Sequence, residues 1–338
     1  MTLTRHRLAE EFLATTDWKN GIARPLAGDA SNRKYERVTA EGLPTAVLMD
    51  APPEAGEDVG PFLTIAQHLS SLGLSAPTIY AQDVTHGFLL IEDLGDGLFA
   101  HVLDHTPDIE DALYRAAVDA LIVAQNARPP KVQHYDVTAM TTTAMLAVDW
   151  YLPHGTGRAT PEVLRQDYES LVRGMLSRLM LGDPVLVQRD YHAENLLWLP
   201  NREGPARVGL LDFQDAMLGH PAYDLASLLK DARRDVAPEV QREMLQYFID
   251  QTGADAAVFS GAYAACSAQR NLRILGVFTR LCVRDGKPDY PDLIPRVWRN
   301  LVEDLQHPSL TELRDFVLTN VPAPEPTVLA RIKAAQNG

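Results

Sequence analysis

The chain has 338 residues, 46% hydrophobic and 22% charged, with a formal net charge of −14. That length allows two domains, or one domain with a large second lobe, around substantial cores. The acidic balance argues against a nucleic-acid partner, whose phosphates need clustered Lys and Arg, and against adsorption to an anionic membrane surface. Cys266 and Cys282 are the only cysteines. They lack CxxC spacing and nearby His partners, so neither a disulfide framework nor a structural zinc site is expected. The first sixteen residues hold no apolar signal-peptide core, and no run approaches the roughly 18 apolar residues of a membrane span. A reduced, cytoplasmic protein is the expectation.

In chain order, residues 4–16 read as a helix, with Leu8, Phe12 and Leu13 at helical spacing and Thr4 as candidate cap. The period then changes. "GIARPL", "KYERVTA", "TAVLMD", "APTIYA" and "GFLLIEDL" are short β-rich runs bounded by Gly, Pro, Asn and Asp. Between the third and fourth, "VGPFLTIAQHLSSLGL" carries Phe62, Ile65, Leu69 and Leu72 on one helical stripe. Five strands with a helix after the third make a small mixed lobe ending near Leu94. Beyond it, residues 108–127, 137–152, 160–181 and 236–253 show the 3.6-residue stripe of helices. "NLLWL" and "RVGLLDF" interrupt them as two short strands joined by the turn-rich "PNREGPA". The tail from about Val321 begins Pro-rich and is expected to be a peripheral strap or partly disordered.

Two segments concentrate the chemistry: "RDYHAEN", residues 189–195, and "LLDFQD", residues 210–215. Phosphoryl transfer needs a hydroxyl held in line and cations that neutralise the transferred group. Asp190 suits acceptance of that hydroxyl's proton. Asn195 and Asp212 offer neutral and anionic oxygens to a hard Mg²⁺ that keeps most of its water. A hairpin of about a dozen residues joins them. Singly, Asp190 or Asn195 reads more readily as a turn cap; the whole set reverses that and favours chemistry.

R-D-x-x-x-x-N, followed by an Asp ending the second hairpin strand, resembles the protein-kinase-like arrangement of the aminoglycoside phosphotransferase family, over roughly residues 22–300. The resemblance implies an α+β, protein-kinase-like two-lobed fold. Residues 1–94 would be a nucleotide-binding lobe with a five-stranded antiparallel sheet and a helix. Residues 95–320 would form a mostly helical lobe holding the catalytic loop, metal site and acceptor pocket, and 321–338 a tail. It further implies ATP and Mg²⁺ as cofactors, Asp190 as the catalytic residue, and Asn195 and Asp212 as metal ligands. Gly28, Asp29, Ser31 and Asn32 would cover the ATP phosphates with backbone N–H groups, although they also read as a plain hairpin turn. The backbone from Glu92 to Leu94 would meet adenine. His192 either contacts the γ-phosphate or bonds the loop backbone; Gln214 and Asp215 would face the acceptor. Asp224 resembles a buried Asp that braces the catalytic loop or caps a helix. No GxxxxGK[ST] motif occurs, which removes the P-loop alternative.

One position departs from the pattern. Strand three should end in a Lys, as in V-A-I-K, and here Met49 stands at that place. Arg33 and Lys34 are the nearest substitutes. Because Asp190, Asn195 and Asp212 are all present, an active kinase is favoured over a nucleotide-binding pseudokinase.

On the late helix, Arg270, Arg273, Arg280 and Arg284 fall within an arc of about 80° at 100° per residue. This stripe either pairs with carboxylates of the acidic body or lines a pocket for a neutral or anionic acceptor. Trp150 either stacks on a sugar face or sits in the core. "AGDASNRKYERV", "VLMDAPPE", "GFLLIEDLGD", "QRDYHAENL" and "QRNLRILGVFTRL" resemble the family branch that phosphorylates the C1 hydroxyl of N-acetylmuramate or N-acetylglucosamine in bacterial cell-wall recycling. That likeness implies a small-molecule sugar as partner, with no nucleic acid, membrane or obligate protein partner, and an Arg of the late helix on the muramate carboxylate. The alternative within the fold is an aminoglycoside or choline-like acceptor.

Overall fold

The computed structural model describes residues 4–26 and 32–335. Its first helix, α1 (Arg5–Leu13), lays Phe12 into a core with Trp18, Val38, Ala46, Leu48, Phe88 and Leu90. Thr4 occupies the cap position, but its side chain makes no cap hydrogen bond, which corrects that expectation; its carbonyl instead accepts from Leu8 N–H.

Strands β1 (Ile22–Pro25), β2 (Lys34–Thr39), β3 (Ala46–Asp50), β4 (Ile79–Asp83) and β5 (Phe88–Glu92) form an antiparallel sheet in the order β1-β2-β3-β5-β4. Helix α2 (Gly60–Ser71) lies between β3 and β4 in the chain, with Phe62, Ile65 and Leu69 buried. The pleat sends Ala46 and Leu48 toward the α1 core and Val47 and Met49 to the opposite face, and all four are buried. A central strand covered on both faces must be apolar throughout, as "AVLM" and "FLLI" are.

After α3 (Phe99–His105), the chain runs through α4 (Glu110–Asn126), α5 (Val137–Ala144), α6 (Leu152–Thr156), α7 (Glu162–Leu179) and the short strand β6 (Val185–Val187). The hairpin of β7 (Leu196–Trp198) and β8 (Val208–Leu210) follows, then β9 (Met217–Gly219), which pairs with β6. Six helices follow among the described residues: α8 (Ala222–Leu229), α9 (Pro238–Thr252), α10 (Ala256–Val283), α11 (Ile294–Asp304), α12 (Thr311–Asn320) and α13 (Pro326–Ala334).

Two expectations need correction. The single helix read over 137–152 breaks into α5, a π turn at Ala147–Tyr151 and α6. At this break, Gly276 of α10 lies so close that an added Cβ would sit 2.2 Å from the carbonyl carbon and oxygen of Leu146. Of the two alternatives for the tail, disorder does not hold over the described length, where the chain forms a packed helix. Pro326 opens α13, a position suited to its fixed φ, and Val328 and Ile332 are buried. Tyr151 Oη donates to Pro322 O at 2.8 Å.

The chain divides into two compact units that interleave in sequence. The first is Met1–Pro107 with Glu194–Ala216; the second is Asp108–Ala193 with Met217–Gly338. In the first, the β7–β8 hairpin is fixed by Trp198 N–H to Gly97 O at 2.7 Å, Leu210 N–H to Ser75 O at 2.9 Å and Ser75 Oγ to Ala206 O at 2.6 Å. In the second, α10 is buried around most of its circumference and packs on α8 and α11. No described helix is long and apolar enough to cross a membrane.

Candidate active site

The second unit carries the loop that follows β6. Asp224, fully buried in the first turn of α8, accepts Gln188 N–H at 2.6 Å and Arg189 N–H at 2.8 Å. Pro221 holds the cap position of α8, so Asp224 braces the loop and does not cap its own helix. Burial raises the Asp224 carboxyl to about 7, against the two backbone donors, which pull it down. Arg189 has φ 72°, in the left-handed region that costs a non-glycine residue about 1–2 kcal/mol. The brace holds the next residue, Asp190, where the chain would not relax on its own. Burial opposes charge on Asp190, yet Arg273 foremost, with Arg270 and Arg189 behind it, holds the carboxyl below its ordinary range.

At the other end of the loop, Asp231 accepts Ala193 N–H at 3.4 Å and Arg233 N–H at 2.8 Å. His192 is 4% exposed, and its Nε2 lies 3.5 Å from Arg233 Nη1. Burial lowers its pKa to about 4, so the ring is neutral near pH 7. Asp231 and Arg233 escaped the sequence reading. Their signal was the charge cluster "KDARRD" directly after an apolar helix.

Around the loop, the Arg189 guanidinium lies 5.2 Å above the Tyr135 ring, which meets Tyr223 edge-on at 5.1 Å. Arg270 is 3% exposed; its Nε and Nη1, and the Tyr223 hydroxyl, are buried with no hydrogen-bond partner among the described residues. An orphaned buried donor costs about 1–3 kcal/mol, so the unmet N–H groups of Arg270 mark a place that a bound group would relieve. Arg273 is half-buried, while Arg284 is exposed and pairs with Asp285 at 2.7 Å. Trp150 lies in the π turn, half-buried and stacked on His154 at 5.5 Å. Such turns recur at functional sites.

The first unit carries the hairpin half. Asn195 precedes β7, its carbonyl accepting Leu211 N–H at 3.0 Å; Asp212 follows β8 with φ 55°. Arg189 and Asp212 are the only non-glycine residues with positive φ among those described. The Asn195 amide nitrogen is 3.4 Å from Asp212 Oδ2, and Gln214 Nε2 donates to Asp212 Oδ1 at 2.5 Å. Gln214 thus touches the carboxylate expected to hold metal, and Asp215 is exposed. No three His, Cys, Asp or Glu side chains gather as a metal centre among the described residues. An amide and a carboxylate side by side fit a cation that draws its other ligands from water and phosphate, as Mg²⁺ does.

Gly28, Asp29 and Ser31 lie outside the described residues. Asn32 is exposed, with Nδ2 3.4 Å from Ala55 O. Arg33 Nε pairs with Glu57 Oε2 at 2.8 Å. The N–H of Glu92 is committed to Thr78 O at 2.8 Å, and its carboxylate takes Thr78 Oγ1 at 2.9 Å and Arg202 Nη2 at 2.5 Å. Leu94 packs on the hairpin, its Cδ1 3.1 Å from where a Gly209 side chain would begin.

Residues 22–259 match the model of the phosphotransferase enzyme family. The chain belongs to that family. It is 37% identical to the N-acetylmuramate/N-acetylglucosamine kinase of Caulobacter vibrioides, over 95% of this chain and 99% of that one. It is 36% identical to the protein of the same name from Pseudomonas aeruginosa, over 87% of each chain. Among solved structures, it resembles a choline/ethanolamine kinase family protein from Mesorhizobium loti at TM-score 0.62 and 14% identity, over 98% of this chain and 100% of that one. An ADP-bound aminoglycoside phosphotransferase gives TM-score 0.58 and 15% identity, over 91% and 97%. As a phosphotransferase of this family, the chain has the fold expected from its motifs, with the five strands in antiparallel order.

Proposed function

We propose that this chain is an ATP- and Mg²⁺-dependent kinase acting on the anomeric C1 hydroxyl of N-acetylmuramate or N-acetylglucosamine, in the cytoplasm, to recycle cell-wall sugars. The observation that carries the phosphotransfer reading is the left-handed backbone at Arg189 and Asp212. Such strain persists only where surrounding structure enforces it, and it clusters where side chains must be aimed. In this reading Asp190 orients the sugar hydroxyl and takes its proton; Arg273 and Arg270 keep it ionised for that task. An anomeric hydroxyl is more acidic than other sugar hydroxyls, so the base need not be strong. Asp212 and Asn195 would hold Mg²⁺, which when bound neutralises charge on the triphosphate. His192, being neutral and buried, keeps the loop's shape. The amino-sugar acceptor is supported by the two relatives' names and by the partnerless N–H groups of Arg270, which suit a carboxylate and repel a polycation. Two buried, unbridged cysteines accord with a reducing compartment.

The test is incubation with MgATP and each sugar, followed by phosphorus NMR. A sugar 1-phosphate resonance is expected with both. Turnover of an aminoglycoside or choline with neither sugar consumed would overturn the acceptor assignment.

A further inference from the structure

The charge that strand three lacks has a candidate replacement inside the first unit. Met49 is fully buried and uncharged, and the following Asp50 forms an ion pair with Arg5. Lys34 is exposed and makes no ion pair among the described residues. Arg33 differs: it and Glu57 are each 13% exposed at the side chain and pair at 2.8 Å, with Tyr35 also acting on the guanidinium. Arg33 immediately precedes β2, whose Tyr35 is the direct cross-strand partner of Met49. The cation therefore enters the sheet two residues along the neighbouring strand from the position it would replace.

Glu57 lies just ahead of α2, where Asp58 Oδ1 takes Gly60 N–H at 2.8 Å. On the same helix, Phe62 packs on Phe213 with ring centroids 4.9 Å apart, and Phe213 follows Asp212 directly. The turn that enters α2 and the helix itself thus link the anion of the pair to the residue beside the expected metal ligand. In protein kinases, a strand-three Lys is aimed at the nucleotide phosphates by a helix Glu.

We propose that Arg33 and Glu57 perform that joint task here: Arg33 contacts the nucleotide phosphates, and Glu57 is a positioning residue that acts only through Arg33. This rests on the ATP-dependent kinase reading above and names the cation that reading leaves open. The geometry supplies one condition such a pair must meet: a mostly buried guanidinium needs a fixed counter-ion to hold one conformer, and Glu57 provides it.

The experiment uses the full chain and measures MgATP binding by calorimetry, with steady-state kinetics and melting temperature alongside. Arg33→Met and Glu57→Gln are each expected to weaken MgATP binding at least about tenfold, while the KM for sugar changes less than about twofold. The double variant should bind no more weakly than Arg33→Met alone, and Arg33→Lys should recover part of the loss. Glu57→Asp, which keeps the charge, should stay nearer the unmodified chain and serves if Glu57→Gln fails to fold. Unchanged MgATP affinity in Glu57→Gln, additive losses in the double variant, or parallel losses of sugar and nucleotide binding would each overturn the proposal. Binding is read without transfer, so an unmodified chain that binds MgATP but phosphorylates neither sugar counts against the acceptor reading and not against this pair.

Discussion

The carboxylate of Asp224 holds the N–H of Arg189 at 2.8 Å, and Arg189 stands in the left-handed region at φ 72°. A helix therefore fixes a strained peptide one residue ahead of the expected base. Asp224→Ala should remove both loop acceptors and leave two buried N–H groups unmet. The expected cost is about 3 kcal/mol in urea unfolding, with kcat lowered at least about tenfold. A stable variant with unchanged kcat would show that the brace does not matter to the reaction.

Asp190→Ala should lower kcat by about 10²–10⁴-fold, the usual range for a lost general base. MgATP affinity, measured by calorimetry, should stay within about threefold. If the variant instead loses nucleotide binding and retains turnover, Asp190 has been given the wrong task.

Burial lowers the pKa of His192 to about 4 in the folded protein, against 6.5 for the ordinary residue. A depressed base of this kind contributes stability that is complete above the unfolded value and is lost as pH falls from about 6.5 toward 4. Melting temperature should therefore drop over that interval. His192→Gln should flatten the drop; His220, also lowered to about 4, remains to produce the rest. Superimposable pH profiles for the two proteins would contradict the assignment.

Arg270→Met offers a contrast between stability and selectivity. Removing a buried guanidinium deletes two unmet N–H groups but also a charge that offsets Asp190, so the melting temperature should change little. At the same time kcat/KM for N-acetylmuramate should fall at least about tenfold more than for N-acetylglucosamine, which lacks the carboxylate. Equal losses for the two sugars would remove the anion from the argument.

Gly276→Ala should destabilise the protein despite gaining about 1 kcal/mol of helix propensity. The new methyl would lie 2.2 Å from the backbone of Leu146, so α10 must retreat from the π turn that carries Trp150. Thermal unfolding several degrees lower is expected, and a rise would mean that this contact is softer than described.

Much of this was legible in the sequence because the deciding patterns are local. "AVLM" and "FLLI" announce strands covered on both faces, and Asp190, Asn195 and Asp212 share one short segment whose residue types suit one reaction. What escaped reading depends on distant pairs. Glu57 means little until β2 brings Arg33 to it, and Asp231 means little until α8 returns it to the loop's far end. The break at Ala147–Tyr151 could not be foreseen, because its neighbour Gly276 lies about 130 residues along the chain. The tail's helix was not foreseen because a Pro-rich start reads as irregular, whereas Pro326 is a helix opener and the apolar Val328 and Ile332 find a core.

The interleaving of the two units has a consequence for biosynthesis. The sheet is translated by residue 92, yet the ribbon that pins against Ser75 and Gly97 arrives only with residues 194–216. At about 5–20 residues per second, the nascent amino-terminal body waits many seconds for its last piece. During that interval the seat that Ser75, Leu94 and Gly97 form for the ribbon is uncovered. A gene fragment ending at Pro107 would inherit the same exposed seat permanently.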